Sequence, residues 1–271
     1  KKFRPEACVE KIARKTNRFQ NKVAIITGGG SGIGLETAKQ FVAQGGSVII
    51  IGRDAEKLTL AAQEIDSTGA SVAVLGGDVG KVATAERAIG LATERFGGVD
   101  VLFNNAGIFK PTPFLDHTEA EFDRYVTTIL KGKFFMAQAA ARAMQKRGGG
   151  AIVQTGSMWA ERAVGATPSS AYSAANAGVH AMVRNLAVEL ASSNIRINAV
   201  APAVIETPVY ATFMSPEQVK EVLPTFNDFH PLGRNGQPRD VVGALLFLAS
   251  NDASWITGAV LPVDGGVMAS R

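Results

Sequence analysis

The run Thr27-Gly-Gly-Gly-Ser-Gly-Ile-Gly34 has the residue types and the spacing to hold a phosphate group. Glycine at positions 28, 32 and 34 permits a tight turn and a close approach of backbone to an anion. The peptide groups of Gly30, Ser31 and Ile33 fall where a helix would open, with N–H groups free to meet negative charge. An ordinary turn needs no such set of glycines. A pyrophosphate is the ligand this arrangement suits, provided a strand precedes it and a helix follows.

That context is legible on either side. Val23–Ile26 is a short apolar run of the kind that forms a buried strand, and the spacing of Leu35, Ala38, Phe41 and Val42 predicts a helix over 33–44. The alternation continues with strands at 47–51, 71–75, 99–103, 151–155, 195–200 and 259–263, and helices at 55–66, 82–95, 119–146 and 170–191. Seven short, continuously apolar strands separated by helical patterns predict an α/β fold: a doubly wound parallel sheet with helices on both faces, in three layers. Residues 201–236 break the rhythm with five prolines and with Val209, Tyr210, Phe213, Met214, Phe226 and Phe229, and are expected to form a substrate lid near 203–236.

The chain has 271 residues, 46% hydrophobic and 19% charged, which suits one large domain and excludes a disordered or collagen-like chain. Its single cysteine, Cys8, gives no sign of an oxidising compartment, so a cytoplasmic setting is expected. No apolar run nears the roughly 20 residues that span a bilayer, and no membrane partner is expected. Residues 1–22 carry eight Lys or Arg and two Glu, so the formal charge of +4 leaves the remainder at −2. We read residues 1–20 as a basic extension to a single domain over 21–271. Ile12, Phe19 and the spaced charges suit an amphipathic helix on the body better than a nucleic-acid contact, since no recognition motif accompanies the charge. His117 and His230 are isolated and no Cys/His/carboxylate set has ligand spacing, so no metal is expected.

Further motifs follow in order: Asp78-Val79, Asn104-Asn-Ala-Gly107, Ser157, Tyr172, Arg196-Ile-Asn-Ala-Val-Ala-Pro202 and Val263-Asp-Gly-Gly266. Together with the glycine turn, whose G-x-x-x-G-x-G spacing differs from G-x-G-x-x-G, they make residues 20–266 resemble a classical short-chain dehydrogenase/reductase. The resemblance implies a Rossmann-like fold, a nicotinamide cofactor, and hydride transfer between its C4 and a carbonyl or alcohol carbon. It implies Tyr172 as the proton-transferring residue and Ser157 as the holder of the substrate oxygen. Asp78 would meet the adenine, Asn104 the central strand, and Thr207 the carboxamide. Val79, Asn105, Ala106, Gly107, Pro202, Val204 and Ile205 would complete the cofactor pocket. Ala203 stands where the family usually has glycine.

Two positions depart from the family's catalytic tetrad. Asn176 stands in place of the lysine of Tyr-x-x-x-Lys, and Ile129 in place of the asparagine of Asn-x-x-Gly. Asn176 is able to bind ribose but carries no charge to lower the tyrosine's pKa. A tyrosine with pKa of about 10 is roughly 0.1% ionised at pH 7, so alcohol oxidation should suffer more than carbonyl reduction. A replacement cation would have to come from Lys131, Lys133, His180 or Arg162; the first two are helix neighbours of Ile129 and cannot both face the site, and His180 reads as a packed core residue. Fifteen residues separate Ser157 from Tyr172, so the Glu161–Ser169 loop is expected to bulge beside the substrate.

For the cofactor, strand two ends at Gly52, where a carboxylate would favour NAD(H), and Arg53 follows. Arginine there pairs with a 2′-phosphate, and Asp54 is placed to cap the next helix, so NADP(H) is favoured over NAD(H). Met158, Trp159 and the lid residues predict a largely apolar carbonyl or alcohol substrate, and the resemblance implies a homotetramer or homodimer. The competing reading is a catalytically degenerate dinucleotide-binding protein, a sensor or an assembly subunit.

Overall fold

A computed structural model describes residues 17–270. Strands β1 (Val23–Thr27), β2 (Ser47–Gly52), β3 (Val72–Gly76), β4 (Val101–Asn104), β5 (Gly150–Thr155), β6 (Ile195–Pro202) and β7 (Val260–Val263) form one parallel sheet in the order β3-β2-β1-β4-β5-β6-β7. Helices α1 (Gly32–Ala43) and α2 (Ala55–Ile65) lie on one face with α8 (Pro238–Ala249). The opposite face carries α3 (Val82–Phe96), α5 (Gly132–Gln145) and α6 (Ser170–Glu189).

The strands are apolar throughout because successive side chains enter different cores. Ile50 and Phe103 pack with Phe41, Val241 and Leu245, whereas Ile49 and Leu102 pack with Met136, Ala140 and Val183. From β1 the chain first builds outward to β3, then returns to add β4 on the other side. That reversal opens a crevice at the C-terminal ends of β1 and β4, where open α/β sheets bind ligands.

Three local features differ from the sequence expectation. The predicted helix over 119–146 is α4 (Glu119–Tyr125), a π turn (Val126–Lys131) and α5, with Ile129 inside the π turn. Helix α8 was not among the expected elements. The segment after β6 contains its own helical turns, including α7 (Pro216–Val222), started by a capping box between Ser215 and Gln218. Of the proposed N-terminal helix, Ile12 lies outside the described residues, while Phe19 is buried and stacked on Phe41 at 4.3 Å between ring centroids. At the sheet's edge, β7 contains Pro262.

Candidate active site

The glycine turn connects β1 to α1 and is held from both sides. The N–H groups of Gly28 and Gly29 donate to the Ile51 carbonyl, and the Asn105 side chain donates to the Thr27 carbonyl at 3.3 Å. A β-carbon at Gly34 would lie 2.2 Å from the Gly28 carbonyl oxygen, so only glycine lets the helix start so close to the turn. Ser31 occupies the N-cap without a side-chain cap bond, and the first turn of α1 contains no acidic residue. The helix therefore presents unneutralised N–H groups to the crevice.

A cavity of about 440 Å3 runs from this turn across the ends of β4, β5 and β6. Gly28, Ser31, Gly32, Ile33, Arg53, Asn105, Ala106, Gly107 and Thr207 line it near the turn, and Ile129, Tyr172, Asn176, Pro202 and Ile205 line it farther in. Gly30, Gly34, Asp78, Val79, Ser157 and Val204 are not on its wall. Asp78 accepts a hydrogen bond from the Gly80 N–H at 2.9 Å, which shapes its own loop. Val204 is packed instead with Met158, Trp159 and Leu223.

Arg53 and Lys57 lie together on the wall, both exposed. The neighbouring Asp54 is the N-cap of α2 and accepts the Lys57 N–H at 3.0 Å.

Tyr172 enters from the first turn of α6, and Ser157 from the loop after β5. Ser157 is buried, and its hydroxyl accepts the Trp159 N–H at 3.3 Å. Burial pushes the Tyr172 phenol up from its ordinary value, with the Ser157 and Asn176 side chains pulling the other way. The Asn176 carboxamide donates to the Tyr172 carbonyl at 3.0 Å, one turn back along the helix. Ile129 is buried and apolar, so it cannot hold a proton-carrying water and serves only as wall.

Of the four cations considered from the sequence, Lys131 is exposed and Arg162 is bound to the Val267 carbonyl and to the Ser270 carbonyl, the latter at 2.9 Å. His180 is buried; its Nδ1 lies 3.1 Å from Glu161 Oε1 and its Nε2 accepts the Ser157 N–H at 3.4 Å. Burial lowers its pKa, against the pull of Glu161. Lys133 is buried and lines the cavity.

The loop 161–169 does not line the cavity, contrary to expectation. It acts through Trp159, whose indole N–H donates to Thr167 Oγ1 at 2.9 Å while the side chain forms part of the wall. Phe109 and Tyr125 were missed in the sequence. Phe109 stands edge-on to Tyr172 at 5.0 Å and to Phe213 at 5.9 Å, and Tyr125 meets Tyr172 at 6.2 Å. Neither belongs to a motif, and Tyr125 is placed by the π turn that follows it. From the segment after β6, Pro208, Val209, Tyr210 and Thr212 reach the cavity. Among the described residues no cluster of three or more His, Cys, Asp or Glu could hold a metal ion, and no helix is long and apolar enough to cross a membrane.

Comparison with known proteins agrees with this geometry. A family model described as enoyl-(acyl carrier protein) reductase matches residues 28–268. A 3alpha-hydroxysteroid dehydrogenase of Mediterraneibacter gnavus is 38% identical over 250 residues, covering 91% of this chain and 97% of the relative. Levodione reductase of Leifsonia aquatica is 37% identical over 261 residues, covering 94% and 97%. The crystal structure of a short-chain type dehydrogenase/reductase from Mycobacterium marinum superposes with a TM-score of 0.88 at 33% identity, covering 94% of this chain and 99% of that one. With the parallel sheet and the glycine turn between β1 and α1 in place, the chain belongs to the short-chain dehydrogenase/reductase family, enzymes that use a nicotinamide dinucleotide to interconvert CH–OH and carbonyl groups.

Proposed function

We propose that this chain is an NADP(H)-dependent reductase of an apolar, ring-bearing ketone or aldehyde. The observation that carries the reading is the cavity itself: one end is the uncapped start of α1 with Arg53 and Lys57 beside it, and the other holds Tyr172 within an aromatic wall.

The residues fit the cofactor. Gly28, Ser31, Gly32 and Ile33 offer backbone N–H groups to a pyrophosphate, and Arg53 with Lys57 supplies positive charge for a 2′-phosphate. Asp54 is engaged in capping α2, which leaves the adenosine ribose end without a free carboxylate at that point. Asn176 and Thr207 would hold the nicotinamide end. When bound, the cofactor supplies hydride to the substrate carbon. The protein's share is to exclude water with the lid, to hold the carbonyl oxygen at the Tyr172 phenol, to which the buried Ser157 hydroxyl is hydrogen-bonded, and to donate the Tyr172 phenolic proton to that oxygen. Because burial raises the phenol's pKa, the neutral acid dominates at pH 7, which favours reduction over oxidation.

The relatives support a cyclic substrate: their names specify a hydroxysteroid, levodione and, at 36% identity, cyclohexanol. We assign residues 21–271 to this single catalytic domain of a cytoplasmic protein, with 203–236 as its lid and 1–20 as a basic extension. Phe122 and Phe134, exposed on α4 and α5, support association into dimers or tetramers through those helices. The competing reading, a dinucleotide-binding protein without turnover, draws on Asn176 and Ile129 alone.

The test is NADPH and NADH consumption with a panel of cyclic ketones, aldehydes and diketones, for wild type and Tyr172→Phe. NADPH-preferring turnover lost in Tyr172→Phe supports the reading. Cofactor binding without turnover on any substrate, in both proteins, establishes the binding-protein reading instead.

A further inference from the structure

The site contains a lysine that none of the family motifs accounts for. Lys133, in the first turn of α5, is only 2% exposed, and its ammonium donates to the carbonyl of Thr155. It forms no ion pair among the described residues, and burial alone lowers its pKa to about 7. An ammonium has three donors, so Thr155 leaves two of them without a protein acceptor. Burying such a group is costly, and an apolar side chain of similar length would pack there more stably.

Its position is fixed from several directions. The Lys133 carbonyl accepts the Asn104 side-chain N–H at 2.8 Å, and Asn104 Oδ1 in turn accepts the Thr27 hydroxyl at 3.2 Å. This chain of bonds ties α5 to the strand that carries the phosphate turn. The acceptor Thr155 lies two residues before Ser157 on β5, and Lys133 lines the same cavity as Tyr172 and Asn176. Asn176, where the family motif has lysine, is neutral and spends its N–H on the Tyr172 carbonyl. Of the four cations considered from the sequence, Lys133 is the one that is buried on the cavity wall and tied neither to a carboxylate nor to the chain's last described residues.

We propose that Lys133 acts as the positioning cation of this active site, stabilising the Tyr172 phenolate that forms during reduction and returning a proton to it. The inference rests on the reductase reading above. In the step, the Tyr172 O–H bond breaks as the substrate O–H bond forms. A Lys133 N–H bond then breaks as the Tyr172 O–H is restored, and the neutral amine regains its proton from water. No electrons move in this relay. Besides Arg53 and Lys57, the titratable groups that share the cavity wall with the lysine are the Tyr125, Tyr172 and Tyr210 phenols with Lys110, Glu121 and Arg124, and His180 with its partner Glu161 lies within reach of its charge. His180 is held neutral by burial, and Lys133 itself lowers it further. That leaves Lys133 as the group able to give up a proton near neutral pH.

The experiment compares wild type, Lys133→Met, Asn176→Lys and the double variant, measuring kcat for reduction from pH 6 to 10 and NADPH dissociation constants by fluorescence. Lys133→Met is expected to lose 10²–10⁴-fold in kcat with the NADPH constant changed less than threefold. Wild-type kcat should fall as the lysine titrates, and that limb should be absent in Lys133→Met. Adding Asn176→Lys to Lys133→Met should restore at least tenfold, which a purely structural defect would not allow. In the cofactor-free protein, a lysine Cε resonance missing from Lys133→Met should titrate well below the other lysines. A folded, NADPH-binding Lys133→Met with unchanged kcat and pH profile, while Tyr172→Phe is inactive, overturns the lysine's role and leaves the reductase reading standing. A wild type that binds NADPH and reduces nothing overturns both.

Discussion

The Asp54 carboxylate accepts the backbone N–H of Lys57 at 3.0 Å and lies 3.6 Å from the same residue's ammonium. It is therefore occupied in starting α2, and the two cations Arg53 and Lys57 face the cavity beside it. Arg53→Ala should raise the KM for NADPH by roughly 10–100-fold, the range for a charge-assisted hydrogen bond of about 1.5–3 kcal/mol, and leave the KM for NADH within twofold. Equal losses with both cofactors would show that Arg53 does not meet a 2′-phosphate.

Tyr172→Phe keeps the ring that packs against Phe109 and Tyr125 but removes the phenolic proton. We expect kcat to fall about 10²–10⁴-fold with the melting temperature within a few degrees of wild type. Single-turnover kinetics with bound NADPH would place the loss in chemistry; a loss confined to substrate KM would contradict the assignment.

The buried Lys133 predicts an unusual dependence of stability on pH. Its pKa is about 7 in the folded protein against 10.5 when exposed, so between these values the unfolded chain binds the extra proton and stability rises with pH. The penalty is complete below about pH 7 and fades toward pH 10. At about 1.4 kcal/mol per unit, Lys133→Met should exceed wild type by roughly 3–5 kcal/mol at pH 6, and the gap should close by pH 10. Urea midpoints at both pH values check this; a gap independent of pH would mean that the lysine reaches solvent.

Phe109 belongs to the aromatic wall and touches both Tyr172 and Phe213, which lies in the segment after β6. Phe109→Ala should raise the KM for a cyclic ketone roughly 30-fold, since the side chain buries apolar area worth about 2 kcal/mol at 25 cal/mol per Å2, and should leave the NADPH constant unaltered. Equal effects on a small acyclic aldehyde would argue that the ring serves Tyr172 and not substrate fit.

The sheet could be read from the sequence because alternation along β2 is between two cores and not between core and solvent, so Val48–Ile51 stays apolar at every position. The glycine turn between β1 and α1 was equally legible, since its glycines answer steric demands such as the 2.2 Å approach at Gly34. The π turn was not, because Val126–Lys131 has the same composition as an ordinary helix and its geometry depends on tertiary packing. For the same reason Lys133 and Lys131 looked alike in the sequence, yet one is buried beneath the site and the other is exposed. Phe109 lay between motifs with no periodicity to reveal that it would reach Tyr172.

Pro262 in β7 bears on how copies of this chain can meet. The Ala259 carbonyl accepts from Ala199 on β6, so Leu261 and Val263 also direct their peptide groups inward, while Val260 and Pro262 direct theirs away from the sheet. The outward row thus lacks a donor at Pro262, and an eighth strand laid along it would lose a rung. That edge is thereby blunted against strand addition and the runaway fibre growth it permits.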